Sequence, residues 1–148
     1  MGYTNKPDPE TTAKAYGKEL QISPKESVEI CREIRNQEVD DAVEYLEKVI
    51  KGEKAVPYRR HKKQIAHNKG VGSGGYPKKA AEHIKNLLEE CKANAENKGL
   101  DSENMKIITI AAHEGSPIKG FQPRAMGRSS PHNTTTTNVE VILQEKEA

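Results

Sequence analysis

The chain has 148 residues, 33% of them apolar, with five Tyr, one Phe and no Trp, which suits one domain with a modest core and leaves part of the chain without core-forming side chains. Its 24 basic and 22 acidic residues sum to a formal charge of only +2, so the total does not mark a binder of polyanions, although the distribution does. The N-terminal MGYTNKPDPETT lacks the basic-then-apolar profile of a signal peptide, Lys6 breaks a myristoylation pattern, and no apolar run approaches the ~18 residues of a membrane span.

A polar extension is expected through about Gly17. KELQIS then alternates Leu20 and Ile22 with polar neighbours, the period of a short half-buried strand. Ser23-Pro24-Lys25-Glu26 reads as a helix start, with Ser as N-cap, Pro in the first turn and Glu completing a capping box. Val28, Cys31 and Ile34 fall on one face, and Asn36 is a left-handed stop. A second helix carries Val39, Ala42, Val43, Leu46, Val49 and Ile50 at helical spacing and ends at Gly52. Asp40, Asp41 and Glu44 could be taken for an acid/base set, but they lie on its polar side and read as a solvated face.

The next segment, AVPYRRHKKQIAHNKGVGSGGYPKK, belongs to a run from Lys54 to Lys79 with eight basic groups and no acidic one, whereas residues 23–51 carry five basic and eight acidic groups. It contains a literal G-x-G-x-x-G at Gly70, Gly72 and Gly75. A dinucleotide fingerprint needs an apolar strand before the glycines and an acidic residue about 20 positions on, at the end of a second strand. Here HKKQIAHN precedes them, Glu89 and Glu90 lie within the following helix, and no Lys-Ser/Thr pair follows Gly75. Two other readings stand: a flexible linker with incidental charge, and an RNA-binding segment that orders on contact. In the second, Lys54, Arg59, Arg60, Lys62, Lys63, Lys69, Lys78 and Lys79 neutralise phosphates, Gly72 lets backbone come close, and Tyr58, Tyr76, His61 and His67 meet unpaired bases.

A third helix runs from Pro77 to about Asn97 on the stripe Ala80, Ile84, Leu87, Leu88, Cys91 and Ala95, with Gly99 as its cap. From Met105 the pattern turns to strand: KIITIAA, then NVEVIL with Val139, Val141 and Leu143 alternating. About 25 residues separate the two, against the ordinary 2–5 of a hairpin loop, and loops that long are functional or disordered. Arg124-Ala-Met-Gly-Arg128 is placed to turn, with Gly127 at positive φ. A second acid-free run, Lys119 to Asn138, adds Lys119, Arg124, Arg128 and His132 to the candidate RNA contacts, while Pro117, Pro123 and Pro131 forbid an unbroken ladder. Each arm, if extended, reaches ~50 Å at ~3.3 Å per residue.

No cofactor or metal is called for. His61, His67, His83, His113 and His132 show no metal-ligand spacing, Ser129 and Ser130 have no base at a recognisable offset, and Cys31 and Cys91 read as buried thiols in a reducing cytoplasm. The fold class expected is α+β, three helices on a small antiparallel sheet with a long extended β-hairpin. It forms a single domain over 1–148, with an N-terminal extension at 1–17, a basic Gly-rich loop at 52–76, and strands and hairpin at 105–143.

Three stretches, ISPKESVEICREIR, ANAENKGLDSENM and KGFQPRAMGRSSP, in this order and spacing, resemble the universal large-subunit ribosomal protein family twenty-two in its archaeal form, numbered seventeen in eukaryotes. The resemblance implies a non-enzymatic, cytoplasmic ribosomal protein that binds large-subunit rRNA, stabilises its fold and touches neighbouring ribosomal proteins. It implies a hairpin whose tip, here Arg124, Met126, Gly127 and Arg128, lines the exit tunnel and meets the nascent polypeptide. The alternative is a free-standing RNA-binding or RNA-remodelling module.

Overall fold

The computed structural model describes residues 3–147. Three helices, α1 (Pro24–Ile34), α2 (Val39–Lys51) and α3 (Lys78–Asn97), cover one face of an antiparallel sheet made of β1 (Thr12–Leu20), β5 (Met105–Glu114) and β8 (Thr137–Glu145) in the order β1-β8-β5. Smaller strands form two satellites: β2 (Val56–Pro57), β3 (His67–Asn68) and β4 (Gly72–Gly75) in the basic segment, and β6 (Phe121–Pro123) with β7 (Ser129–Pro131) in the hairpin. The α+β class is as the sequence reads.

The helices start and stop for the reasons the sequence supplies. Ser23 Oγ accepts from the Glu26 N–H at the head of α1, Asn36 sits at φ 66° between α1 and α2, and Gly52 closes α2 at φ 80°. Pro77 is the N-cap of α3 rather than its first residue, and Gly99 follows its end at φ 79°. Ile30, Ile34, Leu46, Ile84 and Leu88 are fully buried and meet Val139, Val141 and Leu143 from the sheet. Each such side chain contributes about 1.5–3 kcal/mol by leaving water. Cys31 and Cys91 are free, buried thiols, pushed up to about 12 chiefly by that burial.

The N-terminus departs from expectation. The polar tail foreseen through Gly17 is strand from Thr12 onward, paired to β8 from Thr12↔Gln144 to Gly17↔Val139, and Ile22 is buried beyond the strand's end rather than within it. Ahead of β1, residues 3–11 run as a strap over the sheet face opposite the helices. There Glu140, wholly buried, accepts from the Thr4 N–H at 2.9 Å and from the Thr4 hydroxyl, with His113 Nε2 3.5 Å away. Asn5 Nδ2 donates to Thr109 Oγ1, the Tyr3 ring meets the Tyr16 ring edge-on at 5.8 Å, and Lys98 Nζ holds the Pro9 and Thr12 carbonyls. β8 is therefore enclosed on both faces.

Candidate nucleic-acid interface

The basic segment between α2 and α3 has a fold of its own. β4 is its middle strand, pairing Gly75 with Val56 and Gly74 with Pro57 on one side and Ser73 with His67 and Gly72 with Asn68 on the other. Its glycines serve this packing before any ligand: a Cβ on Gly74 would lie 2.5 Å from the Val56 carbonyl oxygen, and one on Gly75 would lie 3.2 Å from the Tyr58 hydroxyl. Gly70 and Gly72 stand at positive φ with open space or only the His67 ring edge nearby. The expectation of a flexible linker, or of a segment ordered only on contact, is corrected accordingly, since Ala55 and Val56 are buried and the three short strands are paired in the chain alone. No strand–glycine–helix phosphate cradle forms, because Gly70–Gly75 make a turn and a strand.

What positions the arginines is a carboxylate. Glu29 on α1, 1% exposed, accepts from the backbone N–H groups of Arg59 (3.0 Å), Arg60 (2.9 Å) and His61 (3.1 Å). Burial alone pushes the Glu29 carboxyl up, but these three donors, with the Arg32 charge, outweigh it and hold the group below its ordinary range. Its charge is thus satisfied by backbone, and the side chains that follow stay unneutralised by it. Arg59 and Arg60 are exposed, Arg59 reaching Glu33 only at 4.0 Å, a separation at which a surface pair contributes little. Lys62, Lys63, His67 and Lys69 are exposed beyond them, and His61 is half-buried.

The remaining predicted contacts divide. Lys78 and Lys79 project from the first turn of α3, which has no acidic residue, so their charges add to the helix's positive end instead of offsetting it. Tyr76 is 43% exposed and open to stacking. Tyr58 is half-buried against the core and over Gly75, its phenol pushed up to about 12 by burial and then by Glu26 and Glu29. Lys54 Nζ lies 5.0 Å from the centre of the Tyr45 ring, so part of its cation is engaged by the body.

The hairpin leaves the sheet through Gly115, whose N–H donates to the Thr136 carbonyl, and its arms touch again at Ile118↔Thr134 and through the His132 N–H on the Gly120 carbonyl. Regular pairing is confined to Phe121–Pro123 with Ser129–Pro131, as the prolines require. At the tip the Arg124 N–H donates to the Arg128 carbonyl at 2.7 Å around a 3-10 turn at Ala125–Gly127, with Met126 at φ 61° and Gly127 at φ 70°. Lys119, Arg124, Arg128 and His132 are exposed; so are Met126 (94%) and Phe121 (76%), large apolar groups with no core to join.

Elsewhere, His83 is half-buried on α3, Asp40 and Glu44 on α2 are paired to Lys92 and Lys48, and no His/Cys/Asp/Glu group among the described residues could hold a metal. Sequence reasoning missed Glu29 and Glu140. The signal for Glu29 was its place between Val28 and Ile30 on the apolar side of α1.

The family model described as ribosomal protein L22p/L17e matches residues 15–144. The chain is 51% identical over 143 residues to the large ribosomal subunit protein uL22 of Methanopyrus kandleri, covering 94% of this chain and 90% of that protein. It is 50% identical over 139 residues to the uL22 of Methanosphaera stadtmanae (92% and 90% covered), and 43% identical over 148 residues to that of Methanococcus aeolicus (98% and 97% covered).

Proposed function

The chain belongs to the ribosomal protein L22p/L17e family, and from that premise we propose that it binds large-subunit rRNA through its two acid-free cationic surfaces and lines the polypeptide exit tunnel with its hairpin tip. It is a structural protein of the large subunit of the cytoplasmic ribosome and not an enzyme. Its partners are rRNA and ribosomal proteins. The observation that carries the RNA reading is the Glu29 anchor. A helix carboxylate is spent on three backbone N–H groups, so that Arg59, Arg60 and His61 are presented outward from a fixed backbone. Phosphates meeting such a surface need not pay the full ordering entropy of a flexible loop.

The tunnel reading draws on the tip. Deleting Arg124–Arg128 removes two guanidinium groups and an adaptable Met from residues that support no core. Incorporation into ribosomes should survive a high-salt wash and body stability should hardly change, whereas passage of particular nascent chains or binding of tunnel drugs should shift. Ribosome profiling and drug footprinting on purified mutant subunits measure this. Loss of the deletion protein from subunits would make the hairpin the anchor, and unchanged stalling and drug binding would remove the tip from the tunnel.

A further inference from the structure

The basic segment, the start of α1 and the end of β5 meet around a cleft of about 740 Å³ at the root of the hairpin. Three features make it unlike the open cationic surface beside it. Its walls bring together two cations and an imidazole from separate elements, Lys25 from α1 and Arg60 and His61 from the basic segment, facing the end of β5. Between them lies an apolar patch, Val28 and Ala112, both half-buried. And one of the walls is held from behind, the backbone of Arg60 and His61 by Glu29. The lining also includes one carboxylate, Glu114, which is exposed.

Resting on the rRNA reading above, we propose that this cleft receives one unpaired rRNA nucleotide, its phosphate on Lys25 and Arg60 and its base on the Val28–Ala112 patch beside His61. The volume falls within the roughly 300–1,000 Å³ of pockets for small organic ligands, which fits a single extruded nucleotide and not a duplex. Sequence-specific RNA contacts are made to splayed-out bases, with His among the side chains they stack on. A base also needs polar partners at its edge, and β5, an edge strand of its sheet, presents backbone there that no neighbouring strand takes. Glu114 adds an acceptor suited to an exocyclic amino group. Of these residues, Lys25, Val28 and Ala112 lie outside both acid-free segments, so the cleft extends the interface onto the body.

The test uses the full chain bound to in vitro transcribed large-subunit rRNA, with nucleotide-resolution footprinting of the parent, Lys25→Ala, His61→Gln and Val28→Phe. Lys25 is exposed and His61 is held to Glu29 through its backbone N–H, so the first two changes spare the core, while Phe fills the cleft without altering charge. Each variant should deprotect the same one or two consecutive nucleotides, leave the remaining footprint in place, and weaken binding about tenfold, the scale of one lost base-stacking contact. The salt dependence should become shallower for Lys25→Ala and stay unchanged for Val28→Phe. Protection of all nucleotides retained in all three variants overturns the proposal while leaving the rRNA reading intact. Absence of any footprint for the parent overturns the rRNA reading itself. Saturable binding of free AMP to the chain without RNA would overturn the assignment to rRNA in favour of a soluble nucleotide.

Discussion

Glu29 decides more than its size implies. Replacing it with Ala leaves three N–H groups at Arg59, Arg60 and His61 without their acceptor and removes a charge they were arranged around. Hydrogen bonds to a charged group are each worth a few kcal/mol at most, and water can enter beside an exposed loop, so a net loss of about 2–4 kcal/mol is expected. Urea unfolding measures it, and hydrogen exchange should show the three amides losing protection first. The pH dependence has a definite sign. Because the folded Glu29 carboxyl titrates below its unfolded value, its contribution is complete above the ordinary carboxylate range near pH ~4.3 and is lost as pH falls through the lower folded value. Amide protection at 59–61 that survives acidification well below that range would show that the carboxylate is not the anchor.

Among the elements, those with periodic side chains were legible and those without were not. α2 and α3 follow from their apolar stripes, α1 from Ser23-Pro24, and β5 and β8 from alternation, because in each the core-facing residues are large. β1 escapes this reading since its helix-facing residues are Ala13, Ala15 and Gly17, too small to mark a period. β4 escapes it because three of its four residues are Gly, serving a positive φ at Gly72, backbone approach at Gly74 and the Tyr58 ring at Gly75, so the loop's composition hides a sheet. The cationic and exposed character of the site was plain from charge alone, while its two carboxylate supports needed three dimensions, as each lies far in sequence from what it holds. The strap carries a prediction at this scale. Deleting residues 1–11 uncovers Glu140 and Ile142 on the central strand, and should lower stability by roughly 2–4 kcal/mol through lost burial and hydrogen bonds. Thermal unfolding compares the two chains, and an unchanged Tm would mean that the strap lies on the sheet without supporting it.

For the whole molecule, the near-zero net charge conceals a division. Acidic groups on α2 and α1 are paired, solvated or, at Glu29, bound by backbone N–H groups, and the basic segment and hairpin are free of them. Replacing Arg59, Arg60, Lys62 and Lys63 by Ala should weaken RNA binding across sequences and flatten its salt dependence. At roughly 0.7–0.9 per phosphate contact, four lost contacts lower the log–log slope by about 3. Filter binding over a salt series measures this; equal slopes for variant and parent would assign these side chains to solvent.

The central strand of the sheet is also the last strand to be synthesised. β1 takes its strand partner from β8, and the strap's Thr4 reaches Glu140 across 136 positions of chain. During translation the N-terminal third therefore leaves the ribosome with no sheet to join, and the cationic segment and hairpin emerge before the body that should carry them can close. Pairing of this long range makes folding slow, and it leaves unpaired strand and exposed charge free to stick to other RNA or to other chains. A newly made copy thus passes through an interval in which its affinity for RNA precedes its structure, and shielding of the basic segments by another protein would be most useful in that interval.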